Sequence, residues 1–198
     1  MDSPWIVLGL GNPGEAYRRT RHNAGFRVAE SLARELDARW SDEGASRVAR
    51  VELAGRPLVL ACPLTYMNRS GEAAVELCAA EGAATGRLLV VHDDIDLRLG
   101  RIRVRPGGGT GGHNGLRSLV DRLGGTEFPR VRLGIRGTGR AGRDLADYVL
   151  EPFDEAEESL VDEMIELGTS AVRSVVGEGV AAAMNRCNGP VAGPDDGD

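Results

Sequence analysis

The stretch with the clearest capacity for chemistry is Tyr17-Arg18-Arg19-Thr20-Arg21-His22-Asn23-Ala24-Gly25. It carries one of only three histidines in the chain, set among hydrogen-bonding residues and not on an apolar face. An imidazole titrates near neutrality, so His22 can take up a proton at cellular pH. Such a base works best when an acid holds its other ring nitrogen. Asp93, at the end of an apolar run, is the candidate for that task. No Ser or Cys is paired with His22 in the sequence, which favours attack by water over an acyl-enzyme.

Side-chain amides supply the second kind of group. Asn12 lies in Gly9-Leu10-Gly11-Asn12-Pro13-Gly14, Asn68 in Pro63-Leu64-Thr65-Tyr66-Met67-Asn68-Arg69-Ser70-Gly71, and Asn114 just after a glycine run. A neutral donor such as the Asn68 amide suits a developing oxyanion, although the same residue could cap the helix that follows. Met67 reads as core or pocket wall. The glycines from Gly107 to Gly115 expose backbone amides that can cradle a phosphate or form a mobile lid. His113 and Asn114 open the next helix, where either could act as a cap.

Two further patterns are weaker. Gly9 to Gly14 matches the GxGxxG dinucleotide fingerprint, but Pro13 sits in the tight turn and no clear apolar helix begins after it. The carboxylates of Asp93, Asp94 and Asp96 would suit a hard cation, yet the histidines lack metal-ligand spacing. No metal and no cofactor are expected.

These groups need elements to place them. Trp5 to Leu10, Pro57 to Cys62 and Arg87 to His92 read as short, continuously apolar strands, the last closing in Asp93-Asp94. Arg47 to Leu53 and Arg130 to Ile135 read as further strands. Ala24 to Arg39 has helical spacing, with Phe26, Ala29, Leu32, Ala33 and Leu36 on one side. Ser70 to Ala80 reads as a helix with Ser70 as N-cap, and Asn114 to Leu123 as another. Asp154 to Gly177 is a long amphipathic helix with Leu160, Met164, Leu167, Ala171 and Val175 facing inward, and Gly179 to Arg186 adds a turn or two. The alternation predicts an α/β protein, a single three-layer α/β/α domain around a twisted mixed sheet, over residues 1–190. Residues 191–198 are an acidic tail expected to be disordered. In such sheets ligands sit beyond the carboxyl ends of strands, so Asn12, Asn68 and Asp93 could share one crevice.

Arg101 to Arg105 alternates Arg with apolar residues, giving a strand with one basic face. Arg103 and Arg105 fall on one face, Arg130 and Arg132 on another, and two such pairs near a glycine loop could clamp phosphate. Every one of the 24 basic residues is Arg, and the net charge is -6. That balance argues against indiscriminate nucleic-acid binding while leaving room for a local basic face. Three scattered cysteines exclude a disulfide framework, and Cys62 and Cys78 read as small buried apolar residues. No run is long enough to span a bilayer and the N-terminus lacks a signal-peptide pattern, so a cytoplasmic protein is expected.

Taken together, five collinear motifs resemble bacterial peptidyl-tRNA hydrolases. They are Gly9-Leu10-Gly11-Asn12-Pro13-Gly14, Tyr17-x-x-Thr20-Arg21-His22-Asn23-x-Gly25, Thr65-Tyr66-Met67-Asn68-x-Ser70-Gly71, His92-Asp93-Asp94-x-Asp96, and Gly107 to Arg117. The resemblance implies that His22 is the catalytic base, that Asp93 orients it, and that Asn12 and Asn68 position substrate. It implies a further site amide at Asn114, and a place for Tyr17 at the border of the site near the tRNA end. Met67 and His113 fall in the same motifs as substrate-side residues. Arg105 and Arg132, with Arg103 beside them, match the basic pair that grips the 5′-phosphate region of tRNA. The implied protein is a monomeric, metal-free, cytoplasmic hydrolase acting on peptidyl-tRNA, with no membrane partner. Two other readings are a non-enzymatic RNA-binding relative and a dinucleotide-dependent oxidoreductase resting on GxGxxG.

Overall fold

The computed structural model describes residues 3–138, 142 and 144–188; the acidic tail expected at 191–198 lies outside them. Seven strands follow in chain order: β1 Trp5–Gly9, β2 Ser41–Glu43, β3 Ser46–Leu53, β4 Arg56–Pro63, β5 Leu88–Arg98, β6 Ile102–Arg105 and β7 Arg130–Arg136. They form one sheet in the order β2-β3-β4-β1-β5-β7-β6. The four central strands are parallel, while β3, β2 and β6 join antiparallel at the edges.

Alternation along the central strands divides the core in two. Ile6, Leu8, Leu88 and Val90 point to one side, where they meet Leu77 of α2 (Ser70–Glu81) and Leu116 and Leu119 of α3 (Asn114–Leu123). Val7, Leu89, Val91 and Val131 point to the other. There they pack on Val28 and Leu32 of α1 (Ala24–Glu35), Met164 and Val172 of α5 (Glu158–Glu178) and Ala183 of α6 (Val180–Cys187). Strand segments buried on both faces must be apolar, as Ile6 to Leu8 and Leu88 to Val91 are. The architecture is the expected α/β arrangement of three layers around a mixed sheet.

Several boundaries differ from expectation for identifiable reasons. Helix α1 stops at Glu35 because Asp37 takes a left-handed φ of 51° and Ala38 N–H turns back to the Ala33 carbonyl. Strand β5 runs on to Arg98, since its polar end stays paired with β7 past an irregularity between Asp94 and Arg98. The exposed, polar β2 and the six-residue helix α4 (Leu145–Leu150) carry too little apolar pattern to be read. Ser70 is not an N-cap. Its hydroxyl donates to the Met67 carbonyl at 2.9 Å from inside the first turn.

The inner stripe of α5 also needs correction. Met164, Ala171 and Val175 face the core as expected, but Leu160 and Leu167 are exposed, and Val161, Gly168 and Val172 complete the buried stripe. Gly168 explains the choice. A Cβ there would lie 2.8 Å from a Val28 methyl, so the helix approaches α1 along its small residues.

The glycines of the first two motifs serve the same kind of contact. A Cβ on Gly9 would sit 2.4 Å from the Gly25 carbonyl oxygen, and one on Gly25 would sit 2.3 Å from that of Val91. The start of α1 therefore rests directly on the backbones of β1 and β5. This accounts for Gly9 by packing, and it sets the turn carrying His22 beside the strand carrying Asp93. Gly25→Ala should lower stability by roughly 2 kcal/mol, because the obstructing atoms are backbone and cannot rotate away. Denaturant melts would check this, and the loss of activity should exceed the loss of folded protein.

Candidate active site

His22 lies in the 3-10 turn Arg21–Asn23 that leads into α1. The turn is held from both sides. Arg21, 1% exposed, donates to the Pro152 carbonyl at 2.5 Å and pairs with Glu157 at 2.9 Å. Its guanidinium also lies 4.3 Å from the Tyr148 ring centre and 5.2 Å from that of Phe153. Such a desolvated cation over aromatic faces is a strong anchor. On the other side, Asn23 Oδ1 accepts from Asn12 N–H at 2.8 Å, and its Nδ2 donates to the Asn12 carbonyl at 2.9 Å. Neither Arg21 nor Asn23 was given a role from the sequence. Their place on either side of His22 was the available signal.

Asp93 Oδ1 and Oδ2 both lie 2.9 Å from His22 Nδ1. His113 Nε2 lies 2.9 Å from Asp93 Oδ1. The proton positions follow from the rest of the network. His113 Nδ1 accepts from the Gly115 and Leu116 N–H groups at 3.1 and 3.3 Å, so its proton is on Nε2 and is donated to Asp93. His113 is thus both the N-cap of α3 and a site residue. Asp93, 2% exposed, would be driven toward its neutral form by burial. The charges and hydrogen bonds of His22 and His113 outweigh that, holding its pKa far below the usual carboxylate range. Burial alone would lower the pKa of His22, but the Asp93 charge and hydrogen bond leave it raised above the ordinary imidazole value.

The third histidine belongs here too. His92 Nδ1 donates to the Asp93 carbonyl oxygen at 2.7 Å, and its ring meets His113 edge-on at 5.1 Å between centres. Burial, reinforced by His113, pushes its pKa down to about 3, so it stays neutral. All three histidines therefore cluster at Asp93, His22 and His113 on its carboxylate and His92 on its backbone carbonyl. His22, Asp93 and His113 are also the one group among the described residues with donor atoms close enough to hold a metal. The pattern does not suit one, because the Nε2 of His113 carries the proton and has no lone pair to offer.

The remaining expected residues differ in how they are placed. Asn12 is buried and its Oδ1 accepts from Met67 N–H at 2.8 Å, which leaves its Nδ2 as the donor. Asn68 stands exposed on the turn Met67–Arg69, and Asn114 is exposed at the start of α3. Tyr17 is half-buried, edge-on to the 57% exposed Tyr66 at 6.3 Å. The Met67 side chain, by contrast, is buried in the core with Leu10 and Leu116, and it is the backbone N–H that serves the site.

A cleft of about 850 Å³ runs from His22 and Asp93 under the glycine loop to Arg105 and Arg132, with Leu145 and Val149 of α4 opposite. The β6–β7 register sets Arg103 opposite Arg132 and Arg105 opposite Arg130. Directly paired residues share a face, so all four lie on one face and not on two as the spacing alone suggested. They do not act alike. Arg130 is buried over the Phe128 ring and donates to the Gly109 and Gly108 carbonyls at 2.6 and 2.5 Å, tying down the loop. Arg132 Nε binds Asp94 at 2.5 Å. Arg105 is exposed and Arg103 half-buried.

The geometry matches a known family. The family model described as peptidyl-tRNA hydrolase matches residues 6–194. The peptidyl-tRNA hydrolase of Mycobacterium tuberculosis is 47% identical over 189 residues, 94% of this chain and 98% of that protein. That of Chloroflexus aurantiacus is 45% identical over 186 residues, 93% of this chain and 98% of that one. The crystal structure of peptidyl-tRNA hydrolase from Acinetobacter baumannii superposes with a TM-score of 0.87 at 38% identity, covering 96% of each chain. The buried His–Asp–His cluster, the amides around it and the arginine-lined cleft thus belong to a chain that is a member of the peptidyl-tRNA hydrolase family.

Proposed function

We propose that His22 activates water to cleave the ester between a peptide's carboxyl carbon and the ribose of a tRNA's terminal adenosine. The observation that carries this is the contact of His22 Nδ1 with an anionic Asp93, which places the proton on Nδ1 and leaves the Nε2 lone pair as the base. Nε2 takes a proton from water, and the hydroxide attacks the carbonyl carbon. Asp93 stabilises the imidazolium that results and remains ionised. The amide of Asn68, with Nδ2 of Asn12, donates to the oxyanion as the tetrahedral intermediate forms. On collapse, the imidazolium proton passes to the departing ribose oxygen, giving free tRNA and a peptide carboxylic acid that releases its proton to solvent as the carboxylate. An alcohol is a better leaving group than an amine, so one base and neutral donors suffice. General-base action of this kind is worth roughly 10²- to 10⁴-fold.

In this reading Asn114 and His113 border the acyl and ribose groups, and Tyr17 borders the tRNA end. Arg105, with Arg103 and Arg132, meets phosphates across the cleft. The net charge of -6 makes that local basic face the place where a polyanion would be captured. The protein is read as a monomer working in the cytoplasm without metal or cofactor. Among the described residues no helix is long and apolar enough to cross a membrane.

Three outcomes are expected. His22→Ala should still bind tRNA but lose roughly 10²- to 10⁴-fold in kcat in a peptidyl-tRNA release assay; undiminished turnover would overturn the assignment. Because the base must be unprotonated, kcat/KM should fall as pH drops through the raised pKa of His22. In Asp93→Asn only burial acts on His22, so that midpoint should move to lower pH while the plateau drops; a fixed midpoint would break the link between the two residues. Arg105→Ala should weaken tRNA capture and reduce the slope of log affinity against log salt by about one contact. An equal loss on a minimal peptidyl-nucleotide would contradict a phosphate role.

A further inference from the structure

We propose that Asp94 is a positioning residue that holds Arg132 as a preset fork for a phosphate group in the cleft. The inference rests on the hydrolase reading above, in which the cleft receives tRNA phosphates. It gives a task to a carboxylate which that reading leaves unexplained. Asp94 lines the same cleft as Arg105 and Arg132. A negative group in such a wall repels a polyanion, so its presence there calls for a reason.

The geometry supplies one. In the β5–β7 register His92 pairs with Arg132, and Asp94 pairs with Gly134. Side chains two apart on a strand share a face. Asp94 and Arg132 therefore lie on one face, one pair apart, and the residue directly beside Asp94 has no side chain to intervene. The two oxygens of the carboxylate have separate tasks. Oδ1 accepts from the Asp96 N–H at 2.9 Å, which fixes the carboxylate to its own strand. Oδ2 accepts from Arg132 Nε at 2.5 Å. Asp94 thus grips the guanidinium at one nitrogen, from the side.

That grip leaves the other end open. Among the described residues, neither Nη of Arg132 has a hydrogen bond or ion pair. Two adjacent Nη–H groups can meet two oxygens of one phosphate at once. The Asp94 side chain is 10% exposed and that of Arg132 25%, so the pair is shielded from salt while the guanidinium still borders the cleft. Its neighbours do not combine these properties. Arg130 directs its Nη groups at the Gly109 and Gly108 carbonyls, and Arg105 is exposed. A long side chain in water loses rotamer freedom when it binds, whereas one already held loses less.

The sign of one substitution tests this. On charge alone, Asp94→Ala removes a negative group from the path of a polyanion and should tighten binding. On the positioning role it releases Arg132, and the dissociation constant for deacylated tRNA should rise about tenfold, the scale of one lost charge-assisted contact. In an Arg132→Ala background the same substitution should cause no loss, because no guanidinium is left to hold. Unchanged or tighter binding by Asp94→Ala, or an equal loss in both backgrounds, would overturn the assignment. So would an equal fall in kcat/KM on peptidyl-tRNA and on a minimal peptidyl-nucleotide, which marks general structural damage. Should Asp94→Ala not fold, Arg132→Lys decides. Lysine keeps the charge but has no Nε to grip and no paired Nη groups, so tRNA binding should again weaken about tenfold. Binding as tight as in the unaltered protein would sink the proposal. Failure of the unaltered protein to hydrolyse peptidyl-tRNA would instead overturn the hydrolase reading.

Discussion

One buried carboxylate organises this molecule. Asp93 sits where burial opposes its charge, and it remains ionised because two imidazoles direct N–H groups at it. Leaving such a charge without partners costs about 3–5 kcal/mol, so the elements bearing His22 and His113 are bound to β5 as firmly as any apolar contact would bind them. The requirement also runs the other way. His22 is raised above the ordinary imidazole pKa only while Asp93 is charged beside it. Stability and reactivity here rest on the same hydrogen bonds.

Much of the remaining structure keeps those bonds in register. Gly9 and Gly25 let the start of α1 rest on the backbones of β1 and β5, where any side chain would push it away. Arg21 clamps the same turn to the segment around Glu151 and Pro152, using two carbonyls, an ion pair and two rings. The Asn23 side chain holds both the N–H and the carbonyl of Asn12, whose own side chain carries the order on to the Met67 N–H. The result is a rigid constellation at the carboxyl ends of parallel strands, the place where such sheets leave room for a ligand. Arginine is used in two distinct ways around it. Arg21 and Arg130 are buried struts that satisfy carbonyls, while Arg105 is left in water where a polyanion can find it.

The parts of the fold legible in the sequence were those under the strongest periodic constraint. Strand β1, β4 from Leu58 onward and β5 as far as Val91 are buried on both faces and had to be apolar without interruption. Helix α3 carries a clean stripe and a capping residue before it. Illegible elements were those whose stability is borrowed. β2 is three polar residues held only by its pairing with β3, and α4 is six residues anchored by the Tyr148 hydroxyl, which donates to the Ile135 carbonyl and accepts from Gly137 N–H. The misjudged face of α5 has a similar origin. Size favours Leu160 and Leu167 as core residues in a sequence, but close helix contact selects Gly168 and its neighbours.

By itself the sequence determined which groups are available for chemistry and that they recur in five ordered motifs. It specified the α/β class, the His22–Asp93 pairing as a possibility, and the family. Only the tertiary structure decided that His113 joins the same carboxylate while His92 holds the Asp93 backbone carbonyl, and that His113 carries its proton on Nε2. It likewise decided that Arg130 serves the glycine loop and that Met67 offers its backbone in place of its side chain. The reason is physical. Residue type and spacing set what a side chain can donate, accept or bury, but proton positions and partners depend on distances between residues remote in the chain. Those distances are set by close packing, here by a helix start pressed against two strands.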